Sequence, residues 1–344
     1  MEPLICLDDS VGTGRLVDRF GRVHDYLRIS VTDRCNLRCL YCMPAHGVQF
    51  MDSRRLMTYD EIVTVVRVAA RLGVKRLRIT GGEPLVRPDI DSLIEALGAI
   101  PGIEDMAMTT NALLLAGRAE RLFRAGLRRI NISIDSLKPD RFAKITRGGD
   151  LARVLRGLEE AERVGMSPIK INVVLMKGLN EEEIDDFLRL SVEKPYVVRF
   201  IEYMPIGHED ETWKQAYLPL NRVLERAAEL GYEIEPTAVP GNGPAENWRI
   251  RGGEGAFGLI HPVSAHFCSA CNRLRLTADG YLKPCLYWQE ELNVRRCNGD
   301  EAALEAMFYR ALEIKPERHE MAEALEGKER SHLPTIRRMS QIGG

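Results

Sequence analysis

Cys35, Cys39 and Cys42 fall within eight residues in a C-x₃-C-x₂-C pattern. Iron–sulfur clusters are held by cysteine thiolates, and a closed [4Fe–4S] site takes four of them. Three thiolates leave one iron with an open position, the distinction that also separates catalytic from structural zinc sites. An open iron can chelate the amino and carboxylate groups of S-adenosylmethionine and pass an electron to its sulfonium. Carbon–sulfur cleavage then releases a 5′-deoxyadenosyl radical. A zinc site or a redox dithiol leaves three cysteines on one loop unexplained.

A second trio, Cys268-x₂-Cys271-x₁₃-Cys285, again stops at three. Phe267–Arg275 and Lys283–Leu286 read as the arms of a hairpin that returns Cys285 to the first pair. A Cys₃His zinc site using His261 or His266 competes with a cluster here, because C-x₂-C serves both metals. Spacing alone leaves that choice open. Eight cysteines in 344 residues are too sparse for a disulfide scaffold. Cys6 and Cys297, which lack such neighbours, read as buried apolar thiols.

The elements that must position these residues alternate. Leu27–Val31, Arg76–Thr80, Asp105–Thr109, Arg129–Ile134, Lys170–Leu175 and Val197–Glu202 read as strands. Amphipathic stretches lie between or after them: Thr58–Leu72, opened by a capping box of Thr58 and Glu61, then Ile90–Gly98, Gly117–Ala125, Leu151–Val164, Glu181–Leu190 and Leu220–Leu230. Such βα repetition predicts a parallel sheet with helices outside it, either doubly wound or an incomplete barrel. In both, reactive residues gather beyond the C-terminal strand ends. The Cys35 loop, Gly81-Gly82-Glu83-Pro84, Thr109–Asn111 and Ser133–Asp135 all sit there. After Gly231 the texture changes, with Gly and Pro frequent over Val239–Gly258. A hairpin follows over Arg273–Leu286, turning at Asp279-Gly280, and then a helix or helix pair over Glu301–Gly327.

Composition excludes some functions. The 48 basic and 50 acidic side chains nearly cancel, so no global field favours nucleic acid or a membrane surface. No run of about 18 apolar residues predicts a membrane span. Met1–Asp9 carries acids and lacks a basic region before a long apolar one, so no secretory signal is expected and a cytoplasmic location is.

The loop around Cys35, with Tyr41 before the third cysteine, and Gly81-Gly82-Glu83-Pro84 resemble the radical S-adenosylmethionine superfamily. Longer stretches narrow the resemblance. They are His24–Cys35, Arg78–Leu85, Arg199–Pro205, Phe267–Gly280 with Leu282–Leu286, and the terminal Ile342-Gly343-Gly344. Together these are similar to the GTP 3′,8-cyclase family, which opens molybdenum cofactor biosynthesis, and Asn272–Arg275 turns the second trio from zinc toward a cluster. The implied fold is an α/β incomplete (β/α)₆ barrel over 20–235, with a smaller C-terminal region over 236–344 that closes the open side. The implied activity is radical cyclisation of GTP to (8S)-3′,8-cyclo-7,8-dihydroguanosine 5′-triphosphate.

The resemblance also assigns residues. Two [4Fe–4S] clusters fall on Cys35, Cys39 and Cys42 and on Cys268, Cys271 and Cys285. Tyr41, Gly82, Ser133 and Met204 contact S-adenosylmethionine. Arg28, Arg78, Thr109, Lys170, Arg199, Arg273, Leu274 and Arg275 contact GTP, with Arg273 and Arg275 also catalytic. Read singly, each basic residue is a solvated charge. But Arg28, Arg78, Lys170 and Arg199 lie in strands that a parallel sheet buries, and an unpaired buried cation is costly unless an anion meets it. The family further implies a homodimer, a low-potential electron donor, handover to cyclic pyranopterin monophosphate synthase, and a Gly343-Gly344 tail that enters the site. Two departures stand out: Ala112, where the family has Gly, and the poorly matching Val48–Met57, a candidate lid.

Overall fold

The computed structural model describes residues 14–207, 211–241 and 243–343. Cys6 and Gly344 therefore lie outside the described residues. Six parallel strands follow one another in chain order: β1 (Tyr26–Ser30), β2 (Arg76–Thr80), β3 (Asp105–Thr110), β4 (Arg129–Ser133), β5 (Ile169–Leu175) and β6 (Val197–Glu202). Along β1 the alternation is plain. Leu27 and Ile29 are wholly buried in the main hydrophobic core, while Tyr26 and Arg28, one position out of phase, face the other side.

The outer layer comprises α1 (Tyr59–Arg71), α2 (Ile90–Gly98), α3 (Ala119–Arg124), α4 (Pro139–Thr146), α5 (Leu151–Arg163) and α6 (Ile184–Glu193), followed by α7 (Glu211–Ala216) and α8 (Asn221–Glu229). The predicted box at α1 forms in both directions: Glu61 N–H donates to Thr58 Oγ1, and Thr58 N–H donates to the Glu61 carboxylate. Such a cap stabilises a helix by about 1 kcal/mol. Helix α4 was not read from the sequence. It is short, and its start is marked only by Pro139 at the first turn.

The sheet does not stop at six strands. β7 (Ile234–Pro236), β8 (Glu246–Ile250) and β9 (Ala256–Ile260) extend it beyond β6, with β9 parallel to β6. At the other edge β10 (Arg273–Leu276) pairs parallel with β1, followed by β11 (Tyr281–Lys283) and β12 (Leu292–Asn293). The order is β12-β11-β10-β1-β2-β3-β4-β5-β6-β9-β8-β7. The sheet curls far enough that Arg273 and Arg275 of β10 and Ile260 of β9 line one cavity, which makes the partial barrel. The predicted hairpin is β10–β11, joined by four residues in which Thr277 Oγ1 bonds Asp279 and accepts from Tyr281 N–H.

The predicted terminal helix pair is α9 (Glu301–Glu313) and α10 (Met321–Glu326), broken around Pro316. A last turn, α11 (Met339–Ile342), precedes Gly343. The Val48–Met57 segment is tied at several points: Met51 N–H to Asp33, Met57 N–H to Ala278 O, and Arg295 to Arg55 O.

Candidate active site

The first cysteine loop leaves the end of β1 and rests on the loops after β2 and β3. Gly82 N–H donates to Thr32 O at 2.7 Å, and Glu83 N–H donates to Arg34 O at 2.9 Å. A side chain at Gly82 would place its Cβ 2.4 Å from Arg34 O and 2.8 Å from Asp33 O. The glycine is thus required for contact between two loops of the protein itself. Buried Glu83 ties the loops together, accepting from Leu85 N–H, Thr110 Oγ1 and Asn111 N–H at 2.7–3.0 Å. Burial pushes its carboxyl up to about 6. On the far side the loop docks on the end of α4 through Arg38 N–H to Thr146 O and Leu40 N–H to Ile145 O.

Cys35, Cys39 and Cys42 line one cavity with Tyr41, Gly82, Ser133, Thr109 and Met204. All four residues predicted to meet S-adenosylmethionine are therefore in one wall. Tyr41 donates to Asp135 at 2.8 Å and packs edge-on to Tyr203, with centroids 6.4 Å apart. Burial pushes the Cys35 thiol up to about 12 and Cys42 to about 11. Thiols so placed need a metal to be held as thiolates. Ala112, beyond β3, has φ +59°, a left-handed conformation that favours glycine and costs Ala about 1 kcal/mol.

A second cavity is lined by Arg28, Arg78, Arg199, Arg273 and Arg275. It shares Thr109, Asn172, Ile201 and Met204 with the first, so the two chambers adjoin. Register builds the cationic wall: Arg275 on β10 pairs with Arg28 on β1, which pairs with Arg78 on β2. Like charges on neighbouring strands repel. Arg78, Arg199 and Arg275 are each 6% exposed. Among the described residues their partners are neutral oxygens: Thr109 Oγ1 for Arg78, Asn131 and Asn172 Oδ1 for Arg199, and Gly343 O for Arg275. Among the described residues the buried Nε atoms of Arg28, Arg78 and Arg199 have no hydrogen-bond partner. Arg129, also basic and on a strand, is by contrast paired with Asp105. Burial, then the neighbouring guanidiniums, pulls Arg199 down to about 9. This is a cavity shaped by charge for a multiply charged anion.

Two predicted residues stand apart from that wall. Leu274 points into the main hydrophobic core between Arg273 and Arg275, which leaves only its backbone for a ligand. Lys170 does not line the chamber; its ammonium donates to Pro240 O at 2.5 Å. Burial and then Arg199, Arg129 and Arg78 lower it to about 7.

Sequence reasoning missed Tyr26. Among the described residues its buried hydroxyl has no hydrogen-bond partner, and the Arg28 and Arg78 guanidiniums lie 5.6 and 5.9 Å from its ring centroid. Burial alone raises a phenol. Arg78, Arg28, Arg273 and Arg199 outweigh it and bring Tyr26 to about 8. Glu202, within a motif quoted above but given no role, accepts from Val263 N–H, Ser264 and Tyr217 and so positions the strand end that leads to Met204.

Cys268 and Cys285 directly adjoin in sequence Phe267 and Leu286, which line the cationic chamber. No three His, Cys, Asp or Glu side chains among the described residues converge on one ion position. His261 is turned toward Glu202 and Ser264, and His266 meets His319 edge-on with centroids 5.7 Å apart. Burial works to raise Cys271, but Arg273 and then Lys315 outweigh it and bring the thiol to about 6. That favours the thiolate a cluster needs.

Residues 29–191 match the family model of the radical SAM superfamily, and residues 196–321 match that described as Molybdenum Cofactor Synthesis C. A GTP 3′,8-cyclase of Listeria monocytogenes is 58% identical over 330 residues, covering 96% of this chain and 99% of that one. One of Limosilactobacillus fermentum is 48% identical with the same coverage. Among solved structures, Streptococcus suis SuiB bound to S-adenosylmethionine superposes with a TM-score of 0.60 at 18% identity, over 84% of this chain and 67% of that one. Native anSMEcpe with bound AdoMet gives 0.55 at 15% identity, over 86% and 82%. At such identity these two show a common fold.

Proposed function

The chain belongs to the GTP 3′,8-cyclase family of radical S-adenosylmethionine enzymes, and on that premise we propose how its two chambers share one reaction. It cyclises GTP to (8S)-3′,8-cyclo-7,8-dihydroguanosine 5′-triphosphate, the first step of molybdenum cofactor biosynthesis, using two [4Fe–4S] clusters and S-adenosylmethionine.

The cysteine chamber holds the radical source. Cys35, Cys39 and Cys42 carry its cluster, and Tyr41, Gly82, Ser133 and Met204 hold the cofactor. When bound, that pair supplies a hydrogen-abstracting carbon radical. The cationic chamber holds GTP. Arg28, Arg78, Arg199, Arg273 and Arg275 neutralise the triphosphate, Lys170 adds charge from outside the chamber lining, and Thr109 is shared with the first chamber. Cys268, Cys271 and Cys285 would carry the second cluster, next in sequence to Phe267 and Leu286 of the chamber lining.

One observation carries this reading: guanidiniums with no carboxylate partner line a cavity that adjoins the cysteine chamber. Removing phosphates from GTP, through GDP and GMP to guanosine, should weaken binding at each step, and Arg78→Met or Arg199→Met should flatten the series. Equal affinity for GTP and guanosine would contradict it.

The electron comes from a separate low-potential donor, the product passes to cyclic pyranopterin monophosphate synthase, and the enzyme works as a homodimer. These follow from the family reading. We place the protein in the cytoplasm, as the family reading implies. No helix among the described residues is long and apolar enough to cross a membrane.

A further inference from the structure

Lys315 lies just past the end of α9 and is 2% exposed. Its ammonium donates to Arg273 O at 3.1 Å and also to Pro284 O. Arg273 stands two residues after Cys271, and Pro284 immediately precedes Cys285. One cation therefore clasps both arms of the hairpin that carries the second cysteine trio.

Other buried cations nearby are already answered. Arg22 donates to Cys268 O at 2.8 Å, but Asp18 pairs with it at 2.7 Å. Lys283 has Glu291 at 3.5 Å. Arg273 and Arg275 line the substrate chamber, and Arg273 also acts on Cys271, so Lys315 shares the charge at this trio with it. Among the described residues the hydrogen-bond partners of Lys315 are the two carbonyls, and no carboxylate pairs with it. A buried ammonium held only by neutral carbonyls is costly unless an anion lies close.

We propose that Lys315 is a positioning residue and the counter-charge of the second cluster, holding its cysteine arms and raising its reduction potential. This rests on assigning the second trio to a cluster. Three thiolates on a [4Fe–4S] core leave a net negative charge, and one-electron reduction makes it more negative. A fixed cation in a low-dielectric setting stabilises the reduced form more than the oxidised form. A neutral donor in its place could hold the arms but would not stabilise the added charge of the reduced cluster.

The test uses the full chain, anaerobically reconstituted, with Cys35, Cys39 and Cys42 replaced by Ser so that the second cluster is read alone. Iron content and an EPR-monitored redox titration are compared for Lys315, Lys315→Gln and Lys315→Arg. Absence of iron when Lys315 is intact would remove the cluster assignment itself, separately from the role of Lys315. With about four irons bound, Lys315→Gln should shift the reduction equilibrium toward the oxidised form by threefold or more, tenfold being about 59 mV for one electron. Lys315→Arg should stay within threefold of the parent. Loss of the cluster in the Gln variant with retention in the Arg variant would equally bear the proposal out. A Gln variant that keeps its iron with less than a threefold shift, or one toward the reduced form, would overturn it. So would an Arg variant that follows the Gln variant.

Discussion

Arg275 Nη1 donates to the carbonyl of Gly343 at 2.6 Å, and both residues are buried. The penultimate residue of the chain thus meets a guanidinium of the cationic wall. Gly343 takes φ +86°, and a Cβ there would lie 2.5 Å from Thr80 Cγ2. Upstream, Arg337 fixes the segment by bonding Asp279 at 3.0–3.2 Å and Glu291 at 2.6–2.7 Å.

Gly343→Ala, or a chain ended after Ile342, should therefore act on turnover more than on folding. We expect kcat to fall about tenfold or more, with Tm within a few degrees and GTP affinity within threefold of the parent. That pattern follows if the tail orders Arg275 and leaves the other cations to hold the triphosphate. Unchanged kcat would mean that the contact is ornamental to catalysis.

Arg199→Met should move stability and binding in opposite directions. Without GTP the buried guanidinium is unmatched by any carboxylate, so replacing it by an apolar chain of similar reach should leave Tm unchanged or raise it. Hydrogen bonds to charged groups contribute about 1.5–3 kcal/mol, so GTP binding should weaken about tenfold to a hundredfold. Thermal melts and titration calorimetry read the two effects. A variant that loses Tm and keeps its affinity would place Arg199 among the structural ion pairs.

Gly82→Ala drives a methyl into the backbone of Asp33 and Arg34, the two residues before Cys35. The first cluster should be lost and the second kept, leaving about four irons per chain in place of about eight. GTP binding in the other chamber should remain. Full iron loading would show that the two loops separate more easily than their packing implies.

Tyr26 gives a pH signature. Its phenol titrates near 8 in the fold, against an ordinary value of 10. An acid lowered on folding contributes stability that is complete above pH 10 and is lost as pH falls through 8. Ultraviolet titration of the substrate-free protein should show one tyrosine near 8 that is absent from Tyr26→Phe. The Tm difference between parent and variant should grow in the parent's favour from pH 8 to 10. Inorganic triphosphate, an anion drawn to the same guanidiniums, should raise that titration. A midpoint that triphosphate leaves in place would separate Tyr26 from the anion site.

Much of this architecture was legible in the chain. The six inner strands keep the period and spacing that a parallel sheet demands, and their ends agree with the reading to within a residue or so. The buried arginines were legible too, because a cation inside a strand pattern contradicts its surroundings. What escaped was non-local. β9 and β10 join the sheet at opposite edges, through pairings with β6 and β1 that no local pattern encodes. Tyr26 falls one residue before the strand as read from the sequence, and only the register sets Arg28, Arg78 and Arg273 around it. Lys315 lies in a charged helical stretch whose solvated reading fits its neighbours, and only the fold carries it to the hairpin.

The central claim is that the radical made in the cysteine chamber is spent on GTP in the cationic chamber. The most direct measurement is 5′-deoxyadenosine formed by the anaerobically reconstituted, reduced enzyme with S-adenosylmethionine, with and without GTP. The account predicts that GTP increases its formation and that 3′,8-cyclo-7,8-dihydro-GTP appears in step with it. Formation of 5′-deoxyadenosine at the same rate whether or not GTP is present would contradict it.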